Sequence, residues 1–223
     1  MYIQPVVMMD FETTGMSPAL GDRVTEVAAL RIVGGVVVER FVSLINCDVY
    51  ISPFISQLTG ITQAMVDRAP SVEQVMPELV RFIGTDALAA HNVSFDEKFL
   101  LAESARLGLV PAHAGVICSV KLSRRVFPGL RSYALGALAS SLGIRFNGNA
   151  HRAEADAEVA SAVMLHIATH LGDRYGIRDV DPRFLQQINR LAAAKVPAFL
   201  LRPAAPANSQ VTGTTRRKKS SIT

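Results

Sequence analysis

Val6-Val7-Met8-Met9 is an unbroken apolar run that ends directly in Asp10-Phe11-Glu12. A short run without alternation suits a strand covered on both faces, and such a strand needs a layer above it and another below. The rest of the chain can supply both. Residues 24–33 and 36–44 are rich in β-branched side chains and are joined by Gly34-Gly35, a hairpin signal. With the first run they predict an antiparallel meander of three strands. Residues 87–90 and 115–120 predict two more strands, set among helices. Strands first, then helices alternating with strands, argue for an α/β domain on a mixed sheet.

The helices announce themselves by their caps. Ser71 with Gln74 is a capping box, and Val72, Val75, Met76, Leu79, Val80 and Ile83 follow as one apolar stripe. Pro77 inside that stretch predicts a kink. Ser94 with Glu97 is read as a second box, opening a helix to Leu107 with Gly108 as its stop. Further helices are expected over residues 133–142, 151–171 and 182–195. Pro and Ser punctuate residues 52–60, ahead of the next helical pattern.

At 223 residues, 49% hydrophobic and 19% charged, the chain has the length and apolar content for one core with an appendage, which excludes wholesale disorder. No apolar run reaches the eighteen or more residues of a membrane span, and no secretory signal is read at the start. Cys47 and Cys118 are too few for a disulfide framework. The expectation is a soluble, cytoplasmic protein without a membrane partner. Arg216, Arg217, Lys218 and Lys219 account for the whole formal charge of +4, so residues 1–215 are formally neutral and no basic body follows from the pI. The tetrad reads as a solvated tail that is able to touch phosphates.

Residues two apart on a strand share a face, so Asp10 and Glu12 converge on one spot at the end of a buried strand. Two carboxylates so placed repel, and a divalent cation removes the conflict. Asp96, in His91-Asn92-Val93-Ser94-Phe95-Asp96, falls in the first turn of a helix, where the macrodipole favours an acid whatever the function. His151 and Asp156 lie five residues apart, about 500° along a helix, and cannot share a helical face. They reach one site only if His151 precedes the helix, which the Gly148-Asn149 turn favours. Four acids with one histidine and no sulfur suit hard ions such as Mg²⁺ or Mn²⁺. A pair of these ions can drive phosphodiester hydrolysis, with His151 as base for the attacking water.

These segments, Asp10-Phe11-Glu12-Thr13-Thr14-Gly15, His91 to Asp96, and His151-Arg152-Ala153-Glu154-Ala155-Asp156-Ala157, resemble the three motifs of the DEDD exonuclease superfamily. The histidine five residues before the last aspartate marks the DEDDh branch. That branch includes the proofreading epsilon subunit of bacterial DNA polymerase III and ribonuclease T. Leu58-Thr59-Gly60-Ile61-Thr62 and the Phe127 to Leu135 stretch add to the likeness, which spans residues 3–171. It implies a ribonuclease-H-like fold with a mixed five-stranded sheet and 3′→5′ removal of mononucleotides using two Mg²⁺ or Mn²⁺. By the resemblance Asp10, Glu12 and Asp156 hold one ion, Asp10 and Asp96 the other, and His151 is the general base. Phe11, Thr13, Thr14, Leu58, Thr59, His91, Asn92 and Phe95 cradle the terminal nucleotide.

The domain reading that follows is an exonuclease domain over 1–172, a helical extension over 173–201 and a disordered basic tail over 202–223. Thr59 stands where epsilon-like members often carry His, as in the exonuclease region of Gram-positive replicative polymerases. The expected partners are 3′ ends of single-stranded DNA or RNA, with a DNA polymerase subunit or a homodimer among the assemblies the resemblance allows. Three other readings stand beside a DNA exonuclease: an RNA-trimming enzyme of the ribonuclease T kind, a non-catalytic polymerase-tethered subunit, and an aspartyl-nucleophile phosphatase. The last is disfavoured because Glu12 replaces the second aspartate. Arg124, Arg125, Arg131 and Arg152 are candidate phosphate contacts, Cys118 is a core residue, and His166 with His170 is expected on an exposed helix face.

Overall fold

The computed structural model describes residues 4–145 and 151–201; the Gly148-Asn149 turn and the basic tail lie outside them. Strands β1 (Val6–Thr13), β2 (Val24–Val33) and β3 (Val36–Leu44) form the antiparallel meander. Strands β4 (Ala87–Ala90) and β5 (Val116–Cys118) add in parallel to the other side of β1, giving the order β3-β2-β1-β4-β5. Gly34 and Gly35 take φ values of 59° and 87°, the pair of positive angles that a two-residue hairpin turn demands. The expected mixed five-stranded sheet is present.

Nine α-helices are described: α1 (Pro53–Thr59), α2 (Gln63–Val66), α3 (Val72–Ile83), α4 (Val93–Arg106), α5 (Ser119–Val126), α6 (Leu135–Ser141), α7 (Ala153–Tyr175), α8 (Pro182–Arg190) and α9 (Val196–Leu200). They make β1 the middle of a sandwich. Val6 and Met8 pack into a core with α7, while Val7, Met9 and Phe11 pack into another with α3 and α4. Ala153, Ala157 and Ala160, in the first two turns of α7, lie in the first core, and their small side chains let that end of the helix come close to the sheet. The closeness matters because α7 carries an acid toward β1.

Several boundaries differ from expectation, each for a local reason. Residues 52–60 are mostly helix: Ser52 caps α1 by accepting from the Ile55 N–H, Pro53 sits at its start, and Gly60 ends it at φ 73°. The punctuation was the helix's own start and stop signals. Helix α4 begins one residue before Ser94, with Asn92 at the cap in the left-handed region, so no capping box forms there; the Ser94 hydroxyl bonds the Asn92 side chain instead. Strand β5 stops at Cys118 and α5 starts at once, a helix absent from the sequence reading. The single helix expected over 182–195 is α8 alone, followed by a 3-10 turn, Ala193–Lys195, and α9. Pro77 lies inside α3 as expected.

The segment after residue 172 belongs to the first core. Helix α7 runs on to Tyr175, and Val180, Leu185, Ile188, Val196 and Leu200 are buried with it. Helix α8 also covers the outer edge of β5. Asn189 accepts the Cys118 N–H at 2.7 Å and donates to the Cys118 carbonyl at 3.2 Å, while Gln186 donates to the Ala114 carbonyl at 2.9 Å. Side-chain amides thus satisfy part of the edge a sixth strand would otherwise meet. His166 and His170 are half-buried rather than exposed, because the Phe127 ring packs against both, at 5.6 and 4.8 Å between centroids. Cys118 is buried as expected. Among the described residues no helix is long and apolar enough to cross a membrane.

Candidate active site

The site is built where β4 ends and β1 continues. Their parallel pairing stops at Met8 with Ala89, so Asp10, Phe11 and Glu12 run past the end of β4. This is the crevice at the carboxyl ends of parallel strands, where open α/β sheets bind ligands. With β4 gone, the Phe11 N–H needs an acceptor. Asp96 supplies it from the first turn of α4, at 3.1 Å. Asp96 is 2% exposed and is thereby fixed beside Asp10.

Asp10 and Glu12 share the β1 face that α7 covers, as alternation requires. Helix α7 starts at Ala153 with Arg152 as its cap, so His151 precedes the helix, as the angular argument demanded. His151 has φ 63°, uncommon outside glycine, and its N–H donates to Asp156 at 3.3 Å. Asp156 lies in the first turn. Glu12, His151 and Asp156 bring ligand atoms within 4.8 Å of one another.

The acids are poorly placed to ionise together. Burial, and then the charges of Asp96, Glu12 and Asp156, push the Asp10 carboxyl well above its ordinary range. Burial and the Asp156 and Glu26 charges raise Glu12 to about 8, against the opposing Arg152. Burial raises Asp96 to about 8, with the Phe11 N–H opposing, and burial also raises Asp156. All oxygen, crowded and desolvated, this donor set fits hard divalent cations, which would restore the ionised forms.

The cleft has a volume of about 470 Å³ and is lined by every expected site residue. Their surroundings differ. His91 is held between the Ser119 hydroxyl at 2.8 Å and the Tyr133 carbonyl at 3.0 Å. A carbonyl only accepts, so Nε2 carries the proton and Nδ1 accepts from the Ser119 hydroxyl; both ring nitrogens are engaged, and burial lowers the pKa of the ring. The Thr13 hydroxyl donates to the Gly15 carbonyl at 2.6 Å, and Thr14 pairs twice with the Arg23 backbone, so this loop is tied at both threonines. The Thr59 hydroxyl is occupied within its own turn by the Ile55 carbonyl and the Ile61 N–H. Leu58 and Phe95 present apolar surface, and Asn92 forms the left-handed turn into α4.

Sequence reasoning missed Met16, Ser52, Phe54 and Ile55 in the lining, and above all Glu26. Glu26 is 3% exposed, faces Glu12 across the β1–β2 register and binds Arg152 through both carboxylate oxygens. A charge inside the apolar run of 24–33 was the signal available for it. Of the candidate phosphate contacts, Arg152 is engaged by Glu26, Arg125 by the Leu191 and Lys121 carbonyls, and Arg124 lies over the Tyr133 ring; Arg131 is exposed.

A ribonuclease-H-like sheet with a carboxylate-lined cleft at its strand ends defines a nuclease-type hydrolase. Residues 7–164 match the exonuclease family that bears the ribonuclease T name, and the chain belongs to that family. It is 35% identical over 173 residues to the DNA polymerase III subunit epsilon of Aquifex aeolicus, covering 78% of this chain and 85% of the relative. It is 37% identical over 189 residues to the 3′-5′ exonuclease DinG of Bacillus subtilis, but spans 20% of that protein. Exonuclease X, solved with 5′-overhanging duplex DNA, superposes with a TM-score of 0.65 at 26% identity, over 82% of this chain and 99% of that one. Escherichia coli exonuclease I, solved with a dT13 oligonucleotide, shares the fold with a TM-score of 0.66 at 22% identity, over 75% of this chain and 41% of that one. The domain is thus a hydrolase of the 3′→5′ exonuclease class.

Proposed function

We propose that this chain removes nucleoside 5′-monophosphates from the 3′ ends of single-stranded nucleic acid, DNA foremost, and that it depends on divalent metal. The observation that carries the reading is the convergence of Asp10, Glu12, Asp96 and Asp156 in one cleft with His151 beside Glu12 and Asp156. Asp10, Glu12 and Asp156 would hold one ion and Asp10 and Asp96 a second, Mg²⁺ or Mn²⁺ by their oxygen donors. Bound there, the ions supply positive charge for the phosphodiester oxygens and Lewis acidity toward water. His151, exposed and ahead of α7, takes the proton of the attacking water. The water oxygen bonds to phosphorus, the bond to the 3′ oxygen breaks, and that oxygen takes a proton from solvent to leave the shortened strand with a 3′ hydroxyl. Leu58 and Phe95 give the terminal base apolar surface, and the tied Thr13-Thr14 loop offers a preorganised backbone.

A polymerase partner and a cytoplasmic setting belong to the same proposal, supported by the likeness to an epsilon subunit. The extension after residue 172 serves the fold, supported by its burial with α7 and its cover of the β5 edge.

The test is a gel assay of 5′-labelled single-stranded DNA and RNA of one sequence with Mg²⁺, Mn²⁺ or EDTA, using wild type and Asp10→Ala. The expected result is a ladder shortening from the 3′ end, dependent on metal and absent in the variant, with DNA the faster substrate. Binding of both strands without shortening would overturn the reading in favour of a tethered binding subunit, and faster RNA shortening would favour the RNA-trimming enzyme.

A further inference from the structure

Glu26 lies behind the site; its charge is felt at Glu12, but its hydrogen bonds go to the segment that carries His151. Its carboxylate is buried and accepts from Arg152 Nε at 3.1 Å, from Arg152 Nη2 at 2.5 Å and from the Ala153 N–H at 3.0 Å. The residue after His151 is thus pinned through its side chain, and the next through its backbone. His151 itself has φ 63°, a conformation that persists in a non-glycine residue when its surroundings impose it. Among the described residues, its own N–H is held by the 3.3 Å bond to Asp156. A planar guanidinium held by two parallel bonds fixes direction as well as distance, which a single ammonium does not.

We infer that Glu26 and Arg152 are positioning residues that hold the His151 backbone in its left-handed turn and so aim the imidazole at the reacting water. This rests on the exonuclease reading and extends it to a latch on the strand next to the catalytic one. The two side chains bond each other and the Ala153 N–H, and none of their described side-chain hydrogen bonds goes to Asp10, Glu12, Asp96 or Asp156. The latch acts through His151.

The experiment measures kcat and KM on a single-stranded oligonucleotide for Glu26→Gln, Arg152→Ala, Arg152→Lys, His151→Ala and the double variant His151→Ala with Arg152→Ala. Mn²⁺ affinity is measured by calorimetry, and His151 ring order by ¹³C relaxation. Arg152→Ala should lower kcat about 100-fold with KM and Mn²⁺ affinity within about threefold, and Arg152→Lys should recover part of the loss. In the His151→Ala background the same substitution should cost nothing further, because a latch without its histidine has nothing to aim. Ring order at His151 should fall in Glu26→Gln and Arg152→Ala. Losses that multiply in the double variant would overturn the inference, as would a raised KM at constant kcat, which makes Arg152 a phosphate contact. Wild type without nuclease activity would fail the exonuclease reading instead; ring order unchanged by either latch substitution would then still overturn the latch.

Discussion

Replacing Asp96 by asparagine separates what the cleft costs from what it does. The side chain is 2% exposed, and its carboxyl has moved from 3.8 to about 8. At pH 7 the folded protein without metal therefore keeps a proton that the unfolded chain has released, so the native state binds more protons and stability falls as pH rises. The distance from 3.8 to pH 7, at about 1.36 kcal/mol per unit, sets an upper bound near 4 kcal/mol. Asparagine never ionises and keeps the oxygen that accepts the Phe11 N–H, but it must lodge an NH₂ group in the same buried place. About half the bound, ~2 kcal/mol, is the expected gain, or roughly 4–8 °C in Tm for a domain of this size. The assay is thermal melting in EDTA from pH 4 to 9. The variant should melt below wild type near pH 4, where only the cost of the buried NH₂ group remains, rise above it with pH, and hold a constant lead beyond about pH 8. Mn²⁺ should stabilise wild type more than the variant, which should be inactive. A variant that melts at or below wild type at pH 8 in EDTA would refute the claim that buried, mutually repelling acids tax the metal-free fold.

Asn189→Ala should leave the Cys118 N–H and carbonyl without the amide that meets them, costing about 1–3 kcal/mol in urea unfolding while kcat stays unchanged. Gly15→Ala should drive a methyl group into the Asp22 carboxylate, which accepts the Ser17 N–H at 2.8 Å, and displace the Thr13-Thr14 loop. A raised KM, partly reversed by Asp22→Ala, is the expected kinetic result. Deleting residues 202–223 should weaken oligonucleotide binding and flatten its salt dependence if the basic tetrad meets phosphates; an unchanged slope in fluorescence anisotropy would return the tail to the solvated state.

The acids were legible because chemistry and local geometry coincide in them. Alternation puts Asp10 and Glu12 on one face, and the 500° between His151 and Asp156 forces the histidine off the helix, where it is found at φ 63°. The hairpin and the capping box of α3 were equally local signals. Helix α1 was missed because Ser52, Pro53 and Gly60 carry the same residues as a loop does, and only continuous backbone bonding between them separates the two. Ser94 was misread because a cap two residues earlier, through Asn92 in the left-handed region, depends on how β4 delivers the chain. Glu26 and Arg152 lie 126 positions apart, and Gln186 and Asn189 reach β5 across more than 70. Local propensity extends over a turn or a strand. The sequence by itself therefore determined the kinds of donor and the elements that carry them. Only tertiary packing decided which acid faces which, how far each is desolvated and what holds the histidine, because those depend on helices settling against a sheet from distant parts of the chain.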